Sequence, residues 1–316
     1  MSKNKKAANL RRFLPYYKKY SGMLVFDLFC ALLSTVCAIA FPLIVRTITN
    51  RSISDIASIS IEWLLKLGGL YLFLVALEAL AGYYMQAQGH IMGAMMERDM
   101  RRELFAHLQQ LSFAYYSNTK VGQIMSRITT DLNDITEFAH HGPEELLISS
   151  IKIIASFLIL ISFNLPLTLI IFALMPLLVL SAVSFNKKLK TAFRRYRQQI
   201  GEINARTEDT LLGMRVVQSF ANEDVENKKF ELSNEEFLDI KRHQYFYMAS
   251  FNGTNRFIRG LMNIVVIIVG AIFLAKGRIS TGDYTSYVLY INTLLMSVQQ
   301  FVMFSEQFQR GTTGID

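Results

Sequence analysis

Two ionisable residues, Glu78 and Lys152, lie inside long apolar stretches. A charge there is costly, and it persists when it pairs with an opposite charge or lines a water-filled cavity. Asn252, Arg256, Arg259 and Asn263 follow at steps of four, three and four, so on a helix they form one stripe. Such a stripe suits an anionic or amphipathic headgroup; it equally suits arginines snorkelling at a headgroup plane. Tyr290, Met296 and Gln299 sit in the last apolar stretch with Tyr287, Asn292, Gln300 and Met303. That mixture adapts to varied apolar ligands, and it also serves for packing helices. Catalysis and cofactor binding find no residues. Cys30 and Cys37 are seven apart in one apolar stretch, about 10 Å along a helix and too far for a disulfide. They read as small packing residues. The five histidines are scattered in the sequence, and no metal site is expected.

The elements that must hold these residues follow from composition. Hydrophobic residues make up 52% of the 316, charged residues only 18%, and the mean hydropathy is +0.27. A soluble surface needs about 25% charged residues. The charges are also clumped, which argues for a bilayer. Six apolar runs are long enough to span: about 22–45, 63–84, 146–163, 165–185, 257–275 and 284–304. The expected fold class is therefore all-α, a polytopic membrane protein with six transmembrane helices. Asn164, Leu165 and Pro166 make a tight turn that folds the third and fourth runs into a hairpin. The basic N-terminus lacks a small-residue cleavage site, so no removable signal is expected.

Lysine and arginine counts orient the spans. Residues 1–20 hold seven, 86–140 hold five and 186–249 hold twelve, against four in the outer connections. Both termini and both long loops are thus expected in the cytoplasm, in a multi-pass protein of the plasma membrane. The net charge of +8 reads as topology and attraction to anionic lipid, not as nucleic-acid binding. The segment Leu10–Tyr20 mixes aromatics with Arg and Lys, as an interfacial helix does. The two inner loops lack linker composition, and their apolar residues recur at helical spacing. The spans therefore run on into the cytoplasm, with a break near Tyr116–Lys120 and another near Ser219–Glu223.

Three loop motifs carry a resemblance: TKVGQIMSRITTDLNDI (119–135), GMRVVQSFANEDVENKKF (213–230) and GRISTGDY (277–284). In this order, on a six-span frame, they resemble the transmembrane domain of bacterial ABC exporters of the multidrug and lipid-exporter type, over essentially the whole chain. The resemblance implies one transmembrane domain over 1–316, with an interfacial elbow helix at 10–20. The intracellular loops at 86–140 and 186–249 would end in coupling helices that dock on ATPase domains. The first would comprise Tyr115, Tyr116, Ser117, Asn118, Thr119 and Lys120. The second would comprise Ser219, Phe220, Ala221, Asn222 and Glu223, with Phe220 as an aromatic plug. It also implies a domain-swapped dimer in which the second loop reaches the partner subunit's ATPase domain. Gly122 would permit the close approach after the first tip, and Arg127 and Asp131, at i,i+4, would brace the returning helix. One departure is Asp209, where the family usually has Glu.

The family hydrolyses ATP in a separate domain. The chain contains no Gly-Lys pair, so the phosphate-binding loop G-x-x-x-x-G-K-[ST] is absent. This chain is expected to be no enzyme and to bind no cofactor itself; Mg-ATP belongs to a nucleotide-binding domain on a continuation of the chain or a separate polypeptide. The expected partners are that domain, a second transmembrane subunit (a homodimer), the lipid bilayer and a small amphipathic substrate. Two rival readings remain, an ion-coupled secondary transporter and a non-transporting membrane receptor or scaffold. The first tends to need broken helices and inverted repeats, which the sequence does not display. The second fits the docking tips, and transport alone separates it.

Overall fold

The computed structural model describes residues 15–54, 56, 59–118 and 121–315, with side chains described outside 118, 121–123 and 302–315. After a helical turn at 15–19 come α1 (Ser21–Ser54) and α2 (Ile61–Tyr84). A π-helical turn (Met85–Gly89) joins α2 to α3 (His90–Leu108). Two short helices follow, α4 (Phe113–Asn118) and α5 (Val121–Ser126), then a second π turn (Arg127–Asp131) and α6 (Leu132–Phe163). The remaining helices are α7 (Leu165–Leu212), α8 (Met214–Ser219), α9 (Glu223–Ala275) and α10 (Thr281–Ile315). Among the described residues, five helical stretches are long and apolar enough to cross a membrane: Ser21–Ser54, Ile61–Leu108, Ile124–Phe163, Leu165–Leu212 and Glu223–Ala275. The spans do run on past their apolar runs, as the helical spacing predicts. The sixth expected span falls on α10, which is less apolar because Tyr, Ser, Thr, Asn and Gln recur along it.

Local chemistry sets the breaks. Asn164 is extended, and its side-chain carbonyl accepts from the Leu167 amide at 3.0 Å. This caps α7 at its start, where Pro166 costs no hydrogen bond. At the end of α9, Gly277 has φ +66°. The Gly277 amide donates to Leu274 (2.9 Å) and the Arg278 amide to Phe273 (2.9 Å), a left-handed stop that favours glycine. Ser280 then starts α10 with a reciprocal cap. Its hydroxyl accepts from the Asp283 amide (3.0 Å), and its amide donates to the Asp283 carboxylate (2.9 Å).

The chain divides into two compact units. One takes in the chain up to Ile170 and again from Ile264; the other is Ile171–Asn263. In the first, α10 packs along α6 and α1, and α1 along α2. Met92, Met96, Leu132, Ile135 and Ala139 form one core cluster, and Cys30, Ala31, Ala81 and Met85 another. Both cysteines are free and buried, in the packing role expected of them. The face of α2 away from these contacts bares Leu72, Phe73 and Leu80, as a lipid-facing helix does. The second unit is an antiparallel hairpin of α7 and α9 with α8 at its tip. Its cross-links run in opposite order along the two helices. Phe185 meets Phe251, Tyr196 meets Phe237, and Gln199 donates to the Ser233 carbonyl (2.9 Å). Nearer the tip, Thr210 donates to Glu226 (3.0 Å).

Candidate functional site

Glu78 and Lys152 are both half-buried in the first unit. They lie near enough for Glu78 to act on Lys152 electrostatically, but among the described residues they form no ion pair. This leaves the reading of two separate polar positions rather than a closed pair. On α10 the three expected cavity residues part company. Met296 and Gln299 are exposed with Asn292, whereas Tyr290 is fully buried. The Tyr290 hydroxyl donates to the Ile39 carbonyl at 2.7 Å, and Ser286, one turn away, donates to the Pro42 carbonyl at 3.0 Å. Pro42 lies inside α1 and disturbs the hydrogen bonds of the preceding turn. Side chains of α10 thus bond carbonyls near Pro42, and Tyr290 is corrected from a cavity residue to a packing one. In the second unit, Asn252 and Arg256 are exposed and Arg259 and Asn263 half-buried along α9, the continuous helix their spacing predicts.

The first tip differs from its expected boundaries. A further break comes at 109–112, and Tyr115, Tyr116, Ser117 and Asn118 lie within α4. Thr119 and Lys120 lie outside the described residues. Tyr116 donates its hydroxyl back to the Leu108 carbonyl, which ties α4 to the end of α3. Its ring meets that of Tyr115 edge-on at 5.5 Å. Phe113, unremarked in the sequence, is 92% exposed. At the second tip the short helix is α8, and Ser219 is its last residue. Phe220, Ala221 and Asn222 form the turn out of it, and Glu223 starts α9. The helix therefore precedes the segment expected to form it. Ala221 has φ +48°, an uncommon conformation for a residue with a Cβ. It is supported by the Asn222 amide donating to the Val217 carbonyl (2.9 Å). Phe220 is 72% exposed, so the packing of this ring within its own loop is slight.

The expected Arg127–Asp131 brace needs correction. Gly122 lies within α5. Arg127 and Asp131 are the ends of a π turn, and among the described residues they form no ion pair. The π turn shifts the backbone hydrogen bonds to i→i+5, and the two side chains stay apart within it. The brace is Arg101, which donates to the Ile128 carbonyl (3.1 Å) and pairs with Glu97.

Three further constellations went unseen in the sequence. At the far end of α1, Arg46 pairs with Asp283 at 2.5 Å and lies 4.1 Å over the Phe163 ring. The Gly282 amide donates to Asn50 (2.8 Å). A Cβ on Gly282 would lie 2.5 Å from the Arg46 carbonyl oxygen, so glycine is required for this approach. At the other end, buried Asp99 takes hydrogen bonds from Lys19, Tyr20, Arg98 and Arg102. The bonds from Lys19 and Tyr20, then Arg98, hold its carboxyl well below the usual carboxylate range. Tyr17 donates to the Ala139 carbonyl (2.6 Å), so this part of the expected interfacial segment is fastened to α3 and α6. Beside it, His90, His140 and His141 converge although 50 residues separate the first two in sequence. A Cys/His spacing rule finds only neighbours in the chain, and these meet through packing.

Five helical stretches of membrane-crossing length and composition, with short helices between them, are the elements of a multi-pass membrane protein. The chain belongs to the family of the ABC transporter transmembrane region, whose model matches residues 24–298. A Bacillus subtilis protein named "Uncharacterized ABC transporter ATP-binding protein YwjA" is 34% identical over 307 residues, covering 96% of this chain and 52% of the relative. The "Putative multidrug export ATP-binding/permease protein YgaD" of the same organism is 25% identical, covering 97% and 53%. A Staphylococcus aureus protein with the same putative multidrug export description is 32% identical over 197 residues, covering 62% and 34%. The chain spans about half the length of the curated Bacillus relatives it matches.

Proposed function

We propose that the chain is the transmembrane, permease part of an ATP-driven exporter that moves an amphipathic or hydrophobic substrate (drug, lipid or peptide) outward by alternating access. The observation that carries this reading is the family match across residues 24–298, on helices whose tips present exposed aromatics, Phe113 and Phe220. An exposed aromatic on a rigid helix is a natural anchor for a pocket on a partner. The partner is a nucleotide-binding domain carrying Mg-ATP, in keeping with the "ATP-binding/permease" names of relatives. With α10 as the sixth span, both termini and both tips face the cytoplasm of a plasma-membrane protein, in line with the bias of lysine and arginine. A second copy completes the pathway, with Ile171–Asn263, already a separate compact unit, as the element exchanged between protomers. Glu78, Lys152, Met296, Gln299 and the stripe Asn252, Arg256, Arg259 and Asn263 are the residues proposed to meet substrate.

The test uses inside-out vesicles carrying the full-length protein, with ethidium and a fluorescent anionic lipid as probes. ATP-dependent accumulation is expected, and Phe220→Ala should abolish it while leaving the protein folded. Accumulation that persists without ATP would instead identify an ion-coupled carrier. No accumulation and no probe-stimulated ATP hydrolysis would identify a scaffold. Arg256→Ala and Arg259→Ala should weaken binding of the anionic probe; unchanged affinity would remove the stripe from the substrate path.

A further inference from the structure

We propose that His90, Glu137, His140 and His141 form a site for a divalent transition-metal ion of the zinc class, which ties α3 to α6. One potential ligand atom from each lies within 4.8 Å of all the others. The His90 Nδ1 and His140 Nε2 atoms are 3.1 Å apart. Two nitrogens about 2.0–2.1 Å from a tetrahedral ion are themselves about 3.4 Å apart, so this pair already has nearly the required spacing. His90 and Glu137 are exposed, and rotation of their side chains can draw in the remaining distance.

The surroundings fit ligation. The His140 Nδ1 lies 2.9 Å from the Thr136 carbonyl oxygen. A carbonyl only accepts, so Nδ1 carries the hydrogen and Nε2 presents its lone pair toward His90. A backbone acceptor on the other ring nitrogen is the usual partner of a metal-bound histidine. The two nitrogens of His141 lie 3.8 Å from Glu144 and 3.7 Å from Glu137, so a second carboxylate backs that ring. Glycines make the approach possible. A Cβ on Gly93 would lie 2.8 Å from the His140 Nδ1 atom, and one on Gly89 would lie 3.1 Å from Asp27 Oδ1. The π turn Met85–Gly89 ends immediately before His90, and π turns recur at functional positions.

Asp27 is an independent sign of a cation site. This residue is 1% exposed, and among the described residues neither carboxylate oxygen has a hydrogen-bond partner. It lies beside Gly89 and within electrostatic range of His141 and Glu144. Buried carboxylates are ordinarily paired or placed near a metal; a dication among these histidines would supply the compensating charge. Three imidazoles and one carboxylate favour Zn²⁺, Co²⁺, Ni²⁺ or Cu²⁺ over Mg²⁺ or Ca²⁺.

The experiment titrates Co²⁺ into the full-length protein, purified without a histidine tag, and follows its visible d–d absorption. A saturable band is expected and Zn²⁺ should displace it. His90→Asn and His141→Asn should each weaken binding about 100-fold, and Glu144→Gln, behind His141, about 10-fold. His90 and Glu137 are exposed, so the double variant His90→Asn/Glu137→Gln should melt like wild type without metal and lose the Zn²⁺-induced rise in melting temperature. No saturable band, or a band retained in the double variant, would overturn the site and leave a hydrogen-bonded histidine pair.

Discussion

The two compact units are built by different means. In the first, long-range polar contacts staple the helices: Arg46 to Asp283, Tyr290 to Ile39, and Lys19 and Tyr20 to Asp99. In the second, two long helices run side by side. Their ion pairs, such as Lys229–Glu226 and Arg242–Asp239, lie three residues apart on one helix, and pairs of that kind contribute little. A unit fastened across the sequence resists change at particular points, whereas a hairpin spreads its weaker contacts along its length.

The contrast should be broken most easily at the glycines. Gly282→Val forces a side chain into the Arg46 backbone and Asn50. It should destabilise by about 3 kcal/mol or more, seen as loss of folded protein or a large fall in melting temperature in detergent. Asp99→Asn should cost about 2 kcal/mol, because it removes the charge and replaces one of two acceptor oxygens with a donor that faces other donors. The same residue sharpens the comparison through pH. Its folded carboxyl is held below the unfolded value of about 4. Its stabilising contribution is therefore full above pH 4 or so and is lost as pH falls through the lower folded value. Acid melting curves of wild type and Asp99→Asn should converge below that point. Tyr290→Phe removes one buried hydrogen bond and should cost about 1 kcal/mol by thermal melting. In the second unit, a Cβ at Gly201 meets nothing within 4 Å, so Gly201→Ala should stabilise α7 by about 0.5–1 kcal/mol. Phe220→Ala should change stability by less than about 0.5 kcal/mol; a larger fall would show that the ring packs within its own hairpin.

The sequence by itself determined the elements that depend on neighbours in the chain. Apolar runs specify membrane-length helices because each must bury its own backbone hydrogen bonds. Asn164 with Pro166, and Gly277 with Ser280, specify where helices stop and start through local caps. The continuation of the helices past their apolar runs was legible for the same reason, and the family resemblance rested on the motifs at 119–135, 213–230 and 277–284. Finer positions were not legible. The short helix Met214–Ser219 precedes its expected place, and a π turn stands at Arg127–Asp131 where an α-helical turn was expected, because hydrogen-bond register responds to packing. Only the tertiary structure decided that Tyr290 bonds the Ile39 carbonyl near Pro42, that Arg101 bonds the Ile128 carbonyl, and that Asp99 gathers its donors. It alone brought His90 to His140 and His141. Those contacts join residues far apart in the chain, and no local period records which faces meet when helices pack.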